Sequence, residues 1–187
     1  MPRSTPEEAF AAARGAMERQ DWDAFFACLD PGDVRRVVQN GLNRLGRDGR
    51  LEAICREAGV EQGLLNEVKA LASRMAKAAE STLGGEIEAS LTLKGLVDGH
   101  RKALAAVARA PRDIAALAAA IERHLRATVG GGSVSSSYLA GQTLEALQVD
   151  GNLAWGTRRS ADNATESVGF VQRGGEWCIR LFARPRS

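Results

Sequence analysis

Gln148-Val149-Asp150-Gly151-Asn152-Leu153-Ala154-Trp155-Gly156-Thr157 opens the stretch on which the fold turns. After a polar break at Ser160-Ala161-Asp162-Asn163 it resumes as Ser167-Val168-Gly169-Phe170-Val171-Gln172-Arg173-Gly174-Gly175-Glu176-Trp177-Cys178-Ile179-Arg180-Leu181-Phe182. Asp150-Gly151-Asn152 and Gly174-Gly175 are residues that accept positive φ, as tight hairpin turns require. Ser160–Asn163 reads as a longer polar turn. Between the turns the pattern alternates. Leu153, Trp155 and Thr157 form one row, Val168 and Phe170 a second, and Trp177, Ile179 and Leu181 a third. Arg158, Ser167, Glu176 and Arg180 fall between them and suit a wet face. The expectation is an antiparallel meander whose apolar rows are covered by the rest of the chain.

That remainder is read as helical. Thr5-Pro6-Glu7-Glu8 carries a capping threonine, a proline suited to the first turn and a glutamate placed to close a capping box. Ala9, Phe10, Ala13 and Met17 follow at helical spacing. Asp21-Trp22-Asp23 starts a short second helix with Phe25, Phe26 and Leu29 apolar, and Asp30-Pro31-Gly32-Asp33 starts a third. Further stripes are Val34, Val37, Val38, Leu42 and Leu45; then Leu51, Ile54 and Ala58; then Leu64, Val68, Leu71, Met75 and Ala78. The last is too short to argue a coiled coil. Residues 86–94 alternate strictly, with Ile87, Ala89, Leu91 and Leu93 on one side. That is the period of a half-buried strand, although a helix continuing into Leu96-Val97 competes with it. Two more helices are expected over 96–110 and 111–129, the latter restarting at Pro111-Arg112-Asp113. Gly130–Ser137 reads as a linker, and Leu144, Leu147 and Val149 lead into the final strands.

The 187 residues fit one domain, with a net charge of +2. Three basic and six acidic groups lie in residues 1–30, sixteen and twelve in 31–127, and six and five in the remainder. No clustered Lys/Arg stripe marks a phosphate-binding surface, so nucleic acid is not an expected partner. Abundant Ala, Arg and Gly with scarce Tyr and Phe suit a GC-rich bacterial genome. Cys28, Cys55 and Cys178 lack CxxC spacing and sit among apolar neighbours, which reads as buried thiols in a reducing compartment. No apolar run would span a bilayer. The expected compartment is the cytoplasm, or an exported one if a leader has been removed.

The two ends of the chain carry a resemblance. Thr5-Pro6-Glu7-Glu8-Ala9, Asp21-Trp22-Asp23-Ala24 and Cys28-Leu29 look like the first helix pair of nuclear transport factor 2-like proteins, the superfamily of the SnoaL-like and ketosteroid isomerase-like branches. Val149–Ala154, Val168–Val171 and Gly174–Ile179 are similar to the last strands of that family. The resemblance covers roughly the first 30 and last 45 residues. It implies an α+β fold: a curved antiparallel sheet, or cone, packed against N-terminal helices around an apolar pocket, with dimers formed through the open sheet face. On that reading residues 1–187 are a single domain, and 31–127 a mostly helical insertion longer than the family plan.

Family enzymes use pocket Asp, His or Tyr residues, but no catalytic motif transfers here. His100, oriented by Asp98, is one candidate base, against a plain helix histidine; His124 sits beside the Ile121/Leu125 stripe. Tyr138 is the sole phenol. Ser135, Ser136 and Ser137 form no nucleophile elbow. Gly130-Gly131-Gly132-Ser133 lacks the lysine of a phosphate loop. Asp150 and Asp162 are accounted for by turn chemistry. Two separated histidines and unpaired cysteines give no metal site, and no cofactor is expected. Arg158 and Arg180 suit an anion site, a dimer contact or a solvated face. The expected function is a binding domain for a small apolar molecule or a protein, forming a homodimer through the sheet. Its pocket would be lined by Trp22, Phe26, Tyr138, Trp155, Phe170 and Trp177, aromatic residues that serve equally as core. The alternatives are an isomerase, dehydratase or cyclase acting on a small organic substrate, and a structural domain whose cone is filled by the insertion.

Overall fold

The computed structural model describes residues 3–43, 48–82, 87–132, 134–135 and 138–182, and only the backbone at 81–82, 87–91 and 129. Within these residues the chain is α+β, with seven helices followed by a four-stranded antiparallel sheet that does not close. The helices are α1 (Pro6–Glu18), α2 (Trp22–Ala27), α3 (Pro31–Gly41), α4 (Gly49–Glu57), α5 (Gln62–Thr82), α6 (Ile87–Val107) and α7 (Ile114–Val129). The strands are β1 (Thr143–Asp150), β2 (Leu153–Arg159), β3 (Thr165–Arg173) and β4 (Glu176–Arg180), in spatial order 1-2-3-4.

Local chemistry sets most boundaries as expected. Thr5 and Glu8 close a reciprocal capping box on α1. Asp21 caps α2 by accepting from the Ala24 N–H. At α3 the expected cap, Asp30, makes no such bond, and its carboxylate accepts from Arg173 instead. In α7 the helix starts at Ile114 rather than Pro111, because Asp113 accepts from the Ala116 N–H and so defines the first turn. The turns follow their residues. Gly151 (φ 59) and the pair Gly174 (φ 56) and Gly175 (φ 88) close two-residue hairpins.

The strand reading of 86–94 is corrected. Residues 87–94 belong to helix α6, and Glu86 lies outside the described residues. No strand of the sheet pairs with this run. It packs as a helical hairpin with α5, and its Ala, Leu and Lys content favours that choice once a helical partner is present. Of the stripes read from the sequence, Leu45 lies outside the described residues. In α5 the deepest residues are Leu65 and Val68, both fully buried near its start, while Leu71, Met75 and Ala78 are half-buried.

Helix α7 is the hub, packing against α2, α3 and α4, while α1 lies against α2 and β4. Phe25 and Phe26 meet edge to face with ring centres 5.3 Å apart, and Phe25 meets Trp22 at 6.0 Å. With Phe170 and Ile179 from the sheet they are essentially sealed from water. Each such side chain contributes about 1.5–3 kcal/mol of transfer free energy. The β4 edge of the sheet is occupied. Leu29 bridges Ile179 in parallel, and the Trp177 N–H donates to the Arg3 carbonyl at 2.9 Å. Strand β1 forms the opposite edge.

Candidate functional site

Register decides which side of β2 faces the helices. Ala154 pairs with Phe170 and Gly156 with Val168. Directly paired residues share a face, so Ala154, Gly156 and Arg158 point to the core and are buried. The expected buried row, Leu153, Trp155 and Thr157, is therefore on the outer face and only half-buried. The reason is volume. A Cβ at Gly156 would lie 2.7 Å from Leu144 Cδ1 and 3.4 Å from Leu147 Cδ1. The core side of β2 is thus filled by leucines of β1 and takes only small residues there. Val168 and Phe170, and Trp177 and Ile179, are on the buried side as expected.

The outer face carries a groove of about 450 Å³ bordered by Ala146, Gln148, Asp150, Trp155, Thr157 and Ser167. Ala146, at φ 48, is the extra residue of a bulge between Glu145 and Gln148. The bulge bends β1 at the groove. Gln148 then pairs with Trp155, and Thr157 with Ser167. Gly169 sits across from Trp155 and supplies no side chain to cover the indole. Val149, 56 % exposed, stands at the rim. The groove thus joins one aromatic plane to a carboxamide, two hydroxyls and a carboxylate.

Of the six aromatic residues read from the sequence as pocket lining, the structure brings one to a groove. Trp155 lines it on the outer face; Trp22, Phe26, Phe170 and Trp177 are core. Trp22 is further sandwiched by the Arg126 guanidinium, 4.2 Å from the ring centre. Tyr138 is half-buried under Arg158, whose guanidinium stands 4.1 Å from the ring centre, and burial pushes its phenol up.

Arg158 does not lie on a wet face. Its guanidinium donates to the Tyr138 carbonyl, to Gln142 Oε1 at 3.1 Å and to Glu166, and its side chain is 8 % exposed. Arg180 is half-exposed on the outer face.

The histidines are apart from this site. His124 Nε2 lies 2.6 Å from Asp48 Oδ2, and that contact holds the Asp48 carboxyl below the ordinary range. Asp48 also caps α4 through the Arg50 and Leu51 N–H groups. Asp98 does not orient His100; it is held by Arg101 at 2.9 Å. His100 lines a separate groove between α3, α5 and α6, with Gln39, Asn40, Asn43 and Met75, and burial pushes its imidazole down. A third groove, beside α4 and α7, is bordered by apolar residues such as Ile54 and Leu117 and by the charged Glu57, Arg112 and Asp113.

The glycine run is more than a linker. Gly130, at φ 72, is the left-handed cap of α7. Gly132 closes on the fully buried Glu122, where a Cβ would lie 1.7 Å from Oε1. Glu122 is paired with Arg126 at 2.7 Å. Ser133, Ser136 and Ser137 lie outside the described residues; Ser135 is exposed. Asp162 holds its turn by accepting from Ser160 Oγ and the Ala164 N–H.

The groove-lining polar residues that sequence reading did not single out are Gln148, Thr157 and Ser167. Their grouping follows from strand register, in which Ala146 and Leu147 of β1 face only Gly156 of β2, and that is not legible in the sequence.

Among the described residues no group of three or more His, Cys, Asp or Glu side chains is placed to hold a metal ion, and no helix is long and apolar enough to cross a membrane. No protein-family model matches the chain, and neither a curated protein nor a solved structure shows significant similarity to it.

Proposed function

We propose that this chain is a binding domain whose recognition surface is the outer face of the sheet, with Trp155 as its platform. The carrying observation is the groove at the β1 bulge, which a half-buried indole lines together with Gln148, Thr157 and Ser167. Its volume suits a small molecule, and its lining of one aromatic with a few fixed polar groups is the usual composition of such sites. The ligand class is a flat, mainly apolar, uncharged molecule carrying a hydroxyl or amide at one edge. Acid–base catalysis asks for a titratable group in reach of the reacting atoms. Among the described residues the groove's one titratable side chain is Asp150, with no histidine or phenol beside it in the lining; the phenol of Tyr138 lies under Arg158, His124 is tied to Asp48, and His100 lines another groove. That dispersal favours binding over the isomerase, dehydratase or cyclase alternative.

The arrangement of a capped helix pair, α1 and α2, with α1 packed on β4 of a C-terminal meander, supports membership of the nuclear transport factor 2-like group. The α5–α6 hairpin would be its insertion. A second reading, a homodimer that covers the groove, is favoured by Val149, 56 % exposed on the β1 edge beside it.

The test is a titration with naphthol and indole, followed by tryptophan fluorescence. Saturable binding that Trp155→Ala removes, with the denaturation midpoint little changed, supports the reading. Binding that survives the substitution refutes it. Sedimentation velocity over a concentration series separates the dimer, which would compete with naphthol for the face.

A further inference from the structure

We propose that Cys28 and Cys178 form an oxidisable thiol pair whose closure to a disulfide staples the α2–α3 junction to the β4 edge of the sheet. The placement comes from backbone pairing. The Ile179 N–H donates to the Cys28 carbonyl at 2.9 Å, and the Asp30 N–H donates to the Ile179 carbonyl at 2.8 Å. Cys28 is thereby fastened to the residue that follows Cys178. Leu29 and Ile179 are parallel bridge partners, so Cys28 and Cys178, each one residue earlier, are the next pair in that register, and a disulfide asks for Cα atoms roughly 4.4–6.8 Å apart.

Arg3 confirms that the two cysteines share one environment. Its carbonyl accepts from the Trp177 N–H, beside Cys178. Its guanidinium donates to the carbonyl of Ala27, beside Cys28, at 2.6 Å and to Glu176 at 2.8 Å. Its Nε is buried with no hydrogen-bond partner. Both thiols are free and almost sealed, and the charge of Arg3 acts on each of them. Burial pushes both thiols up, which Arg3 only partly opposes, so the resting pair is protonated and slow to react. The third cysteine, Cys55, is buried in α4 with its thiol pushed up to about 11. It serves as an internal control.

With a low-molecular disulfide such as glutathione disulfide as oxidant, the chemistry balances. One cysteine loses its proton to solvent, and the thiolate attacks a glutathione sulfur. The glutathione S–S bond breaks, and one glutathione thiolate leaves and takes up a proton. The second cysteine, deprotonated in turn, attacks the protein sulfur of the mixed disulfide and expels the second glutathione. Two protein thiols are oxidised to one disulfide, and one glutathione disulfide is reduced to two thiols. The new bond links chain positions far apart, so it restricts the unfolded chain strongly.

The experiment uses the full chain carrying Cys55→Ser, equilibrated with glutathione disulfide at mildly alkaline pH, then analysed by intact mass and peptide mapping. The expected result is a monomer lighter by two hydrogens, a Cys28–Cys178 cross-linked peptide, and a thermal midpoint above that of the dithiothreitol-reduced protein. Adding Cys28→Ser or Cys178→Ser should abolish the mass loss. The proposal is overturned by stable glutathione adducts without ring closure, by covalent dimers, or by thiols that stay reduced in the native chain while reacting in denaturant.

Discussion

The guanidinium of Arg158 lies 4.1 Å over the ring of Tyr138, on the helix-facing side of β2, while Trp155, three residues earlier on the same strand, looks out. The arginine's stem and stacked head occupy space that an apolar residue would be expected to fill. Replacing Arg158 with Ala takes a donor from the Tyr138 carbonyl and removes the stack, at a cost of about 2–3 kcal/mol. Arg158→Lys recovers only part of this, because an ammonium has neither the plane nor the fork. Glu166 is 65 % exposed, so Glu166→Gln costs under about 1 kcal/mol. Urea denaturation midpoints of the three variants provide the check.

Gly132 and Gly131 are neighbours with opposite tolerances. A methyl at Gly132 would collide with a fully buried carboxylate, whereas nothing lies within 4 Å of one at Gly131. Gly132→Ala should cost about 3 kcal/mol or more by breaking the Glu122–Arg126 pair, and Gly131→Ala less than about 0.5 kcal/mol. Chemical denaturation of both variants reads the difference.

The Asp48–His124 contact makes part of the stability depend on acid. His124, followed by the capping N–H groups, holds the Asp48 carboxyl below its ordinary value. The folded state therefore binds that proton less readily than the unfolded chain. Its stabilising contribution is complete above the ordinary aspartate range, near pH 4, and is lost as pH falls through the lower folded value. Asp48→Asn keeps a capping side chain but not the charge. The stability gap between wild type and variant should shrink as the pH falls below about 4.

The tryptophans should separate core from groove. Trp22 is 5 % exposed, packed on Phe25 and stacked by Arg126. Trp22→Ala should cost about 3–5 kcal/mol. Trp155→Ala, at a half-exposed site, should cost about 1 kcal/mol. Acrylamide quenching should fall most when Trp155, rather than Trp22 or Trp177, is replaced by Phe.

What could be read in the sequence follows from how local the physics is. The capping box at Thr5–Glu8, the glycine turns at 151 and 174–175, and the inward rows of β3 and β4 rest on neighbouring residues. They appear as expected. The faces of β2 do not, because alternation says only that two faces differ. Gly156 and Ala154 are inward because Leu144, Leu147 and Phe170 already fill that volume, and pairing across strands decides this. Residues 87–94 have strand periodicity, yet α5 offers them a helical partner and the sheet offers them none. The groove was hidden for a related reason. It depends on a one-residue bulge at Ala146, which re-aims Gln148 toward Trp155.

The most direct test of the central claim is a nitrogen-15 spectrum of the three tryptophan indole N–H groups during titration with naphthol. If the outer face is the binding surface, the Trp155 indole and the backbone amides of Gln148, Thr157 and Ser167 shift with one saturation curve, and the Trp22 and Trp177 indoles stay in place. Shifts centred on Trp22 or Trp177, with Trp155 unmoved, would contradict the account and put the ligand on the helix side of the sheet.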